Sequence, residues 1–243
     1  MCKFSKFTLG ALVASSITSS ACANWYDNIF AGVEADYNFA SDISLQVKNH
    51  ISISPFNGNM SDDARAFGFG AKLGYDFDIA RVYGAYNHNF KAKADTNYWD
   101  NTLHSGYISS GEIKWNSNDF ILGADYTPKF SISGIDFKAI LGAFGGLSKI
   151  DIKHEERGVN TYGLTQMQGS LNGFIYGLRL GSIYEINKNN EVEFGFKFSQ
   201  AKYSDKDTTI NICNYIHCFK ENLKLSDTKL TNKGVFVGYN YKF

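Results

Sequence analysis

From Ile29 to Phe243 the chain alternates apolar residues with charged residues or glycine, one by one, in eight separate runs. Alternation with a period of two puts the two sets on opposite faces of an extended strand. The first run sets Ile29, Ala31, Val33, Ala35 and Tyr37 against Gly32, Glu34 and Asp36. The others run Phe67–Phe77, Ala80–Asn87, Phe120–Tyr126, Ile135–Ala143, Phe174–Gly181, Val192–Ser199 and Val235–Phe243. One face of each is apolar and aromatic, and the other mixes charge with glycine. With 20 Phe, 15 Tyr, 23 Gly and only 2 Pro, the composition suits strands. A soluble sandwich also alternates, so alternation alone does not choose the solvent.

The connections choose it. Long separations (40–64, 92–117, 149–168 and 204–231) alternate with tight links near Phe77-Asp78, Thr127 to Gly134 and Ile186 to Asn190. Short turns at one end and long loops at the other is the asymmetry of a transmembrane barrel. The alternating runs are about 9–11 residues, the length a tilted strand needs to cross a bilayer. Stretches of about 20 apolar residues, which a spanning helix would need, are missing. Lys+Arg and Asp+Glu both number 24, so there is no basic field for nucleic acid.

The first residues read as a signal for export. Lys3 and Lys6 precede a weakly apolar stretch, Phe7 to Ile17, then Thr18, Ser19 and Ser20 and the small-residue site Ala21-Cys22-Ala23. Cleavage after Ala23 divides the chain into a signal peptide, 1–23, and a barrel, 24–243. Lipoprotein processing at Cys22 competes, although Ser19 stands where such sites usually carry Leu. A buried N-terminal helix is the bland alternative. Export leaves Cys213 and Cys218, spaced C-x4-C, and an oxidising compartment favours a disulfide. A metal site using His217 as well would be an incomplete zinc set.

The final strand ends Gly238-Tyr239-Asn240-Tyr241-Lys242-Phe243. With the export signal, eight strands and four long loops, this end resembles the small Gram-negative outer-membrane β-barrel family of the OmpA-barrel, OmpX and opacity-protein type. The resemblance is architectural and covers nearly all of 24–243. It implies an all-β fold: an eight-stranded antiparallel transmembrane barrel, wound as an up-and-down meander, in the bacterial outer membrane. It implies Tyr239, Tyr241 and Phe243 as the signal read by the assembly machinery. Outer-membrane lipid and lipopolysaccharide are the expected surroundings, and a host or cell-surface ligand would be met through the loops.

If the aromatic face meets lipid, the other face fills the lumen, which in an eight-stranded barrel is just wide enough for side chains. Glu34, Asp36, Asp125 and Glu193 would then face Lys72, Arg81, Lys138, Arg179 and Lys197. Buried charges persist only when paired, so a plugged, salt-bridged core is expected rather than a pore; a narrow gated conduit is the alternative. Glycines among them, such as Gly68, Gly70 and Gly142, would make room for the long groups. In the last loop, Tyr215, Ile216, His217 and Phe219 stand at the disulfide as a contact surface or as packing against other loops. His50, His104, His154 and His217 fall in loops, and His88 near the outer end of a strand. None stands beside a nucleophile in one strand, so catalysis is not expected. His154-Glu155-Glu156 reads as solvated loop charge, Gly68-Phe69-Gly70 precedes no helix, and no cofactor or metal is expected. A non-enzymatic surface protein with an adhesin or antigen role leads; a small porin-like channel and an outer-leaflet lipid-modifying enzyme are the rivals.

Overall fold

The computed structural model describes residues 28–49, 58–100, 107–158, 164–213 and 218–243. Ten strands appear: β1 (Ile29–Asn49), β2 (Gly58–Asp76), β3 (Ala80–Asp100), β4 (Tyr107–Tyr126), β5 (Lys129–Ile132), β6 (Ile135–Gly158), β7 (Leu164–Glu185), β8 (Asn190–Tyr203), β9 (Lys206–Cys213) and β10 (Cys218–Lys242). The pairing closes on itself. β1 pairs with β2, then β3, β4, β6, β7, β8 and β10 follow in turn, and β10 returns to β1, antiparallel throughout. The seam between β2 and β3 is closed only from Gly68 and Asn89 down to Asp76 and Arg81; above it β2 is paired with β1 alone and β3 with β4 alone.

The two remaining strands do not add staves. β5 is a four-residue tag on the base of β6, joined through Ser133 and Gly134. Both of those residues have positive φ, 53° and 81°, the backbone a two-residue hairpin turn requires. β9 continues the stave that β8 leaves at Tyr203. Like β8 it pairs with both β7 and β10, and Ser204 N–H donates to Asn172 O at 3.0 Å across the gap. Eight staves therefore carry ten strands.

The staves are much longer than the 9–11 residues expected of them, reaching 24 in β6 and 25 in β10. The separations 40–64, 92–117, 149–168 and 204–231 are mostly strand. Their tips, 50–57, 101–106, 159–163 and 214–217, lie outside the described residues, as do 1–27. The reason is a reversal of polarity along each stave. In the lower half the outward face is apolar: Leu122, Leu147 and Phe196 are 75%, 67% and 62% exposed. So broad an apolar surface is stable only against lipid. Tyrosines border it, with Tyr75, Tyr126, Tyr184, Tyr239 and Tyr241 near the short turns and Tyr37, Tyr86 and Tyr176 higher up. In the upper half the apolar side chains turn inward. Ile43, Leu45, Ile113, Trp115, Ile150, Ile152, Leu171 and Leu225 form a buried core. The outward face there carries exposed or partly exposed charges such as Lys93, Glu112, Lys114, Lys153 and Glu155. A pattern search tuned to apolar-out strands stops where the barrel leaves the bilayer. From Asn38 to Asn49, 49 − 38 = 11 residues of β1 rise roughly 25–30 Å further.

Candidate functional site

The inward face of the membrane half holds two layers of charge. In the lower one Arg81, from β3, donates to Asp76 on β2 at 2.8 Å and to Glu191 on β8 at 2.7 Å. Lys138, from β6, reaches Glu185 at 2.9 Å and Asp76 at 3.6 Å. Lys242 closes the layer from the last strand, 2.9 Å from Asp76 and also paired with Glu191. Phe30 lies 5.3 Å from the Arg81 guanidinium, a cation–π contact in a site closed to water.

In the layer above, Arg179 of β7 is the hub. Its guanidinium stands 3.1 Å from Glu34, 2.9 Å from Glu193 and 3.8 Å from Asp125, and donates to Tyr83 Oη at 3.2 Å. The Phe236 ring lies 4.3 Å from it. Lys197 joins Glu34 at 2.9 Å and Asp36 at 3.1 Å, and Lys72 bridges Glu34 at 3.5 Å to Glu193. Here the multiplicity of partners matters more than any one pair, because each carboxylate loses its water and must be compensated within the barrel.

The glycines make these layers possible by space. A Cβ on Gly142 would fall on Asp125 Oδ1 and 2.6 Å from Arg179 Cγ. Gly123 and Gly177 lie against the rings of Tyr83 and Phe144 in the same way.

A layer rich in hydroxyls and amides follows. Asp119 accepts from Ser148 at 2.6 Å and Asn89 at 2.9 Å, Tyr203 and Ser148 share a 2.8 Å hydrogen bond, and Ser41 donates to Asn232 at 2.7 Å. Trp115 Nε1 donates to Ser41 at 3.3 Å and begins the apolar core above. The void between Glu34, Lys72, Tyr83 and Arg179 is about 10 Å³, hardly room for one water.

All nine lumen residues named from the alternation, Glu34, Asp36, Lys72, Arg81, Asp125, Lys138, Arg179, Glu193 and Lys197, face inward. They do not form one cluster: Arg81 and Lys138 belong to the lower layer and the other seven to the upper. Asp76, Glu185, Glu191 and Lys242 complete the lower layer, and Tyr83 and Asp119 belong above it; the alternation sets Tyr83 and Lys242 on the charge-and-glycine face, but none of the six was named among the lumen residues. Asp136, set aside as a turn residue, is exposed in the β5–β6 hairpin.

Two loop assignments need correction. His154 is not in a solvated loop; it lies on β6 and is buried. Phe219 lies not in a loop but in β10, opposite Ile212 of β9. Cys213 and Cys218 are joined by a disulfide at the end of that hairpin, Cα to Cα 4.1 Å. Tyr215, Ile216 and His217 lie outside the described residues, as do His50 and His104. His88 lies near the middle of β3 rather than near its outer end; it faces outward and its Nδ1 is 2.9 Å from Asn118 Oδ1. Tyr239, Tyr241 and Phe243 point out of the barrel at its lower edge, Tyr241 and Phe243 edge to face at 5.2 Å.

No family model matches the sequence, and no curated protein matches it. Among solved structures, a major outer membrane protein from Thermus thermophilus superposes with a TM-score of 0.51 at 11% identity. That match covers 87% of this chain and 99% of the Thermus one. The outer membrane protein OprG from Pseudomonas aeruginosa is 15% identical over 90% of this chain and 97% of its own, with a TM-score of 0.47. The fold assignment rests on the strand pairing, the apolar belt and the Thermus superposition. By its fold the chain is an eight-stranded outer-membrane β-barrel.

Proposed function

We propose that the chain is a non-enzymatic surface protein of the bacterial outer membrane, exported by residues 1–23 and working through the end of the barrel that stands clear of the bilayer. The observation that carries this reading is the stacking of an apolar core on two layers of ion pairs inside the barrel. A solute passing through would have to separate the ion pairs and then cross a dry hydrocarbon plug, each at high cost. The channel reading therefore has the weaker support. The lumen acids and bases are committed to one another, which leaves little for acid–base catalysis in the interior.

The raised half of the barrel has its own core. It carries the disulfide-closed β9–β10 hairpin, and recognition residues concentrate on scaffolded connections. An adhesin or antigen role fits that arrangement, with Tyr215, Ile216 and His217, between the two cysteines in sequence, and Phe219 as the proposed contact residues. Tyr239, Tyr241 and Phe243 serve the assembly machinery in the same reading. An antibody against a peptide spanning 206–225 tests it. Labelling of intact cells is expected; labelling only after the outer membrane is permeabilised would overturn the proposal.

A further inference from the structure

The wall of the barrel parts on one side. β2 and β3 are paired from Asp76 and Arg81 up to Gly68 and Asn89 and no further. Above that height residues 58–67 pair only with β1, and residues 92–100 only with β4. Each strand therefore turns a row of unpaired backbone N–H and C=O groups toward the other. Two bulges lie at the same height: register shifts between Asn38 and Ser41 on β1 and between Asn89 and Ala92 on β3. A bulge bends the strand that carries it.

The sequence explains why the seam does not resume above the bulges. Ala66 and Ala92 are buried, whereas Arg65 and Lys93 are exposed. The tight turn at Phe77–Ile79 pins the register of β2 against β3. Continued past the one extra residue of the β3 bulge, that register sets Ala66 opposite Ala92 and Arg65 opposite Lys93. Like charges so placed repel. The seam is no mouth to the lumen, since Ala66, Ala92 and Ala94 belong to the same buried core as Ile43 and Trp115. What it leaves unmatched is backbone.

We propose that the parted seam is a dimer interface, in which residues 58–67 of each copy of this chain pair with residues 92–100 of the other. The inference rests on the outer-membrane reading above, which stands both copies the same way up. A two-fold axis along the membrane normal then relates them and leaves the direction of every strand unchanged. β2 of one copy meets β3 of the other antiparallel, twice, and all four edges are matched. One foreign strand laid in the seam would be antiparallel to one edge and parallel to the other, and β2 against β2 would be parallel, the weaker pairing.

Between copies the register is also free of the turn. A shift of two residues keeps the alanines inward, with Ala66 opposite Ala94 of the second copy. It sets Arg65 opposite Asp95 of the second copy, so a repelling pair becomes an attracting one. Below the seam the two closed walls would abut at small outward residues, Ala71 of β2 and Gly84 of β3. A Cβ on Gly84 would touch only Leu122, at 3.6 Å, so the backbones have room to approach.

The test mixes two single variants of the full barrel, Arg65→Cys and Asp95→Cys, in phosphatidylcholine vesicles, with heat-modifiable migration as the check of insertion. Cys213 and Cys218 are tied to each other and do not compete for a short bismaleimide linker. The mixture should give cross-linked dimer, and either variant alone about tenfold less. No dimer from the mixture, or as much from either variant alone, would overturn the proposal. In the wild-type background, Arg65→Glu should weaken association by about tenfold or more, read as the dimer fraction on dilution into excess lipid. Adding Asp95→Arg should restore it, and Lys153→Glu on β6 should leave it unchanged. Association indifferent to Arg65→Glu, or not restored by the second change, would also overturn the proposal. Failure of wild type to insert would instead overturn the outer-membrane reading on which it rests.

Discussion

Lys242 Nζ lies 2.9 Å from Asp76 Oδ2, so the final strand is tied to the second across the floor of the barrel as well as to the first along the closing seam. Lys242 also pairs with Glu191, so the floor has its full set of cations only once β10 is in place. Lys242→Ala should destabilise the inserted barrel by about 1–3 kcal/mol, because Arg81 and Lys138 remain to hold Asp76. Urea unfolding in lipid vesicles measures this, and Lys242→Arg should recover most of the loss.

Arg179 is substituted only in part. Arg179→Met would strand Asp125, whose one ion pair among the described residues is with Arg179, and leave Glu34 to Lys72 and Lys197 and Glu193 to Lys72 alone. A loss of about 3–5 kcal/mol is expected. Adding Glu193→Gln should restore part of it, since the second change removes one of the two carboxylates that then share Lys72. A double-mutant cycle in which the two losses simply add would show that the hub does not couple these groups.

The reversal of polarity predicts opposite responses to similar changes at different heights. Leu178→Arg, in the lipid belt, should cost about 2–4 kcal/mol. Lys153→Ala, outward and exposed in the upper half, should stay within about 0.5 kcal/mol. Ile150→Ala, buried in the upper interior, should cost about 2–5 kcal/mol, as a core truncation does in a soluble protein. A neutral Ile150→Ala in unfolding experiments would mean that the raised half has no cooperative core.

These contrasts also show where the sequence was readable. The eight staves and the inward set Glu34 to Lys197 follow from parity alone, because a period of two leaves a side chain only two directions to point. Asp76 and Glu191 obey the same parity: each lies two residues beyond the lumen position nearest it, Gly74 and Glu193. They escape notice because each borders a turn, where solvation is the natural reading. The upper half escapes for a different reason. Ile150, Ile152 and Lys153 alternate as faithfully as Leu141 and Gly142, but with apolar residues inward, so the pattern reads as the end of a membrane strand. The division of the charges into two layers was out of reach, since it depends on strand register, which alternation within one strand does not specify.

The disulfide should matter locally. Cys213 and Cys218 are only five residues apart, so closing them restricts few unfolded conformations and the stabilisation should fall below about 3 kcal/mol. Cys213→Ser with Cys218→Ser is expected to leave barrel unfolding nearly unchanged. Hydrogen exchange should rise in β9 and the first residues of β10 and nowhere else. Labelling of two free thiols in the native wild-type protein would remove the bond from the account.

The occluded interior is the centre of this reading, and planar-bilayer conductance tests it most directly. Wild-type barrel that is inserted and heat-modifiable should give no unitary current steps above the lipid baseline. Arg179→Ala with Lys197→Ala, which thins the upper charge layer, should still give none, because the apolar core above it remains. Reproducible unitary steps from the wild type, altered in size by Ile150→Ala or Trp115→Ala, would show an open path through the lumen and contradict the account.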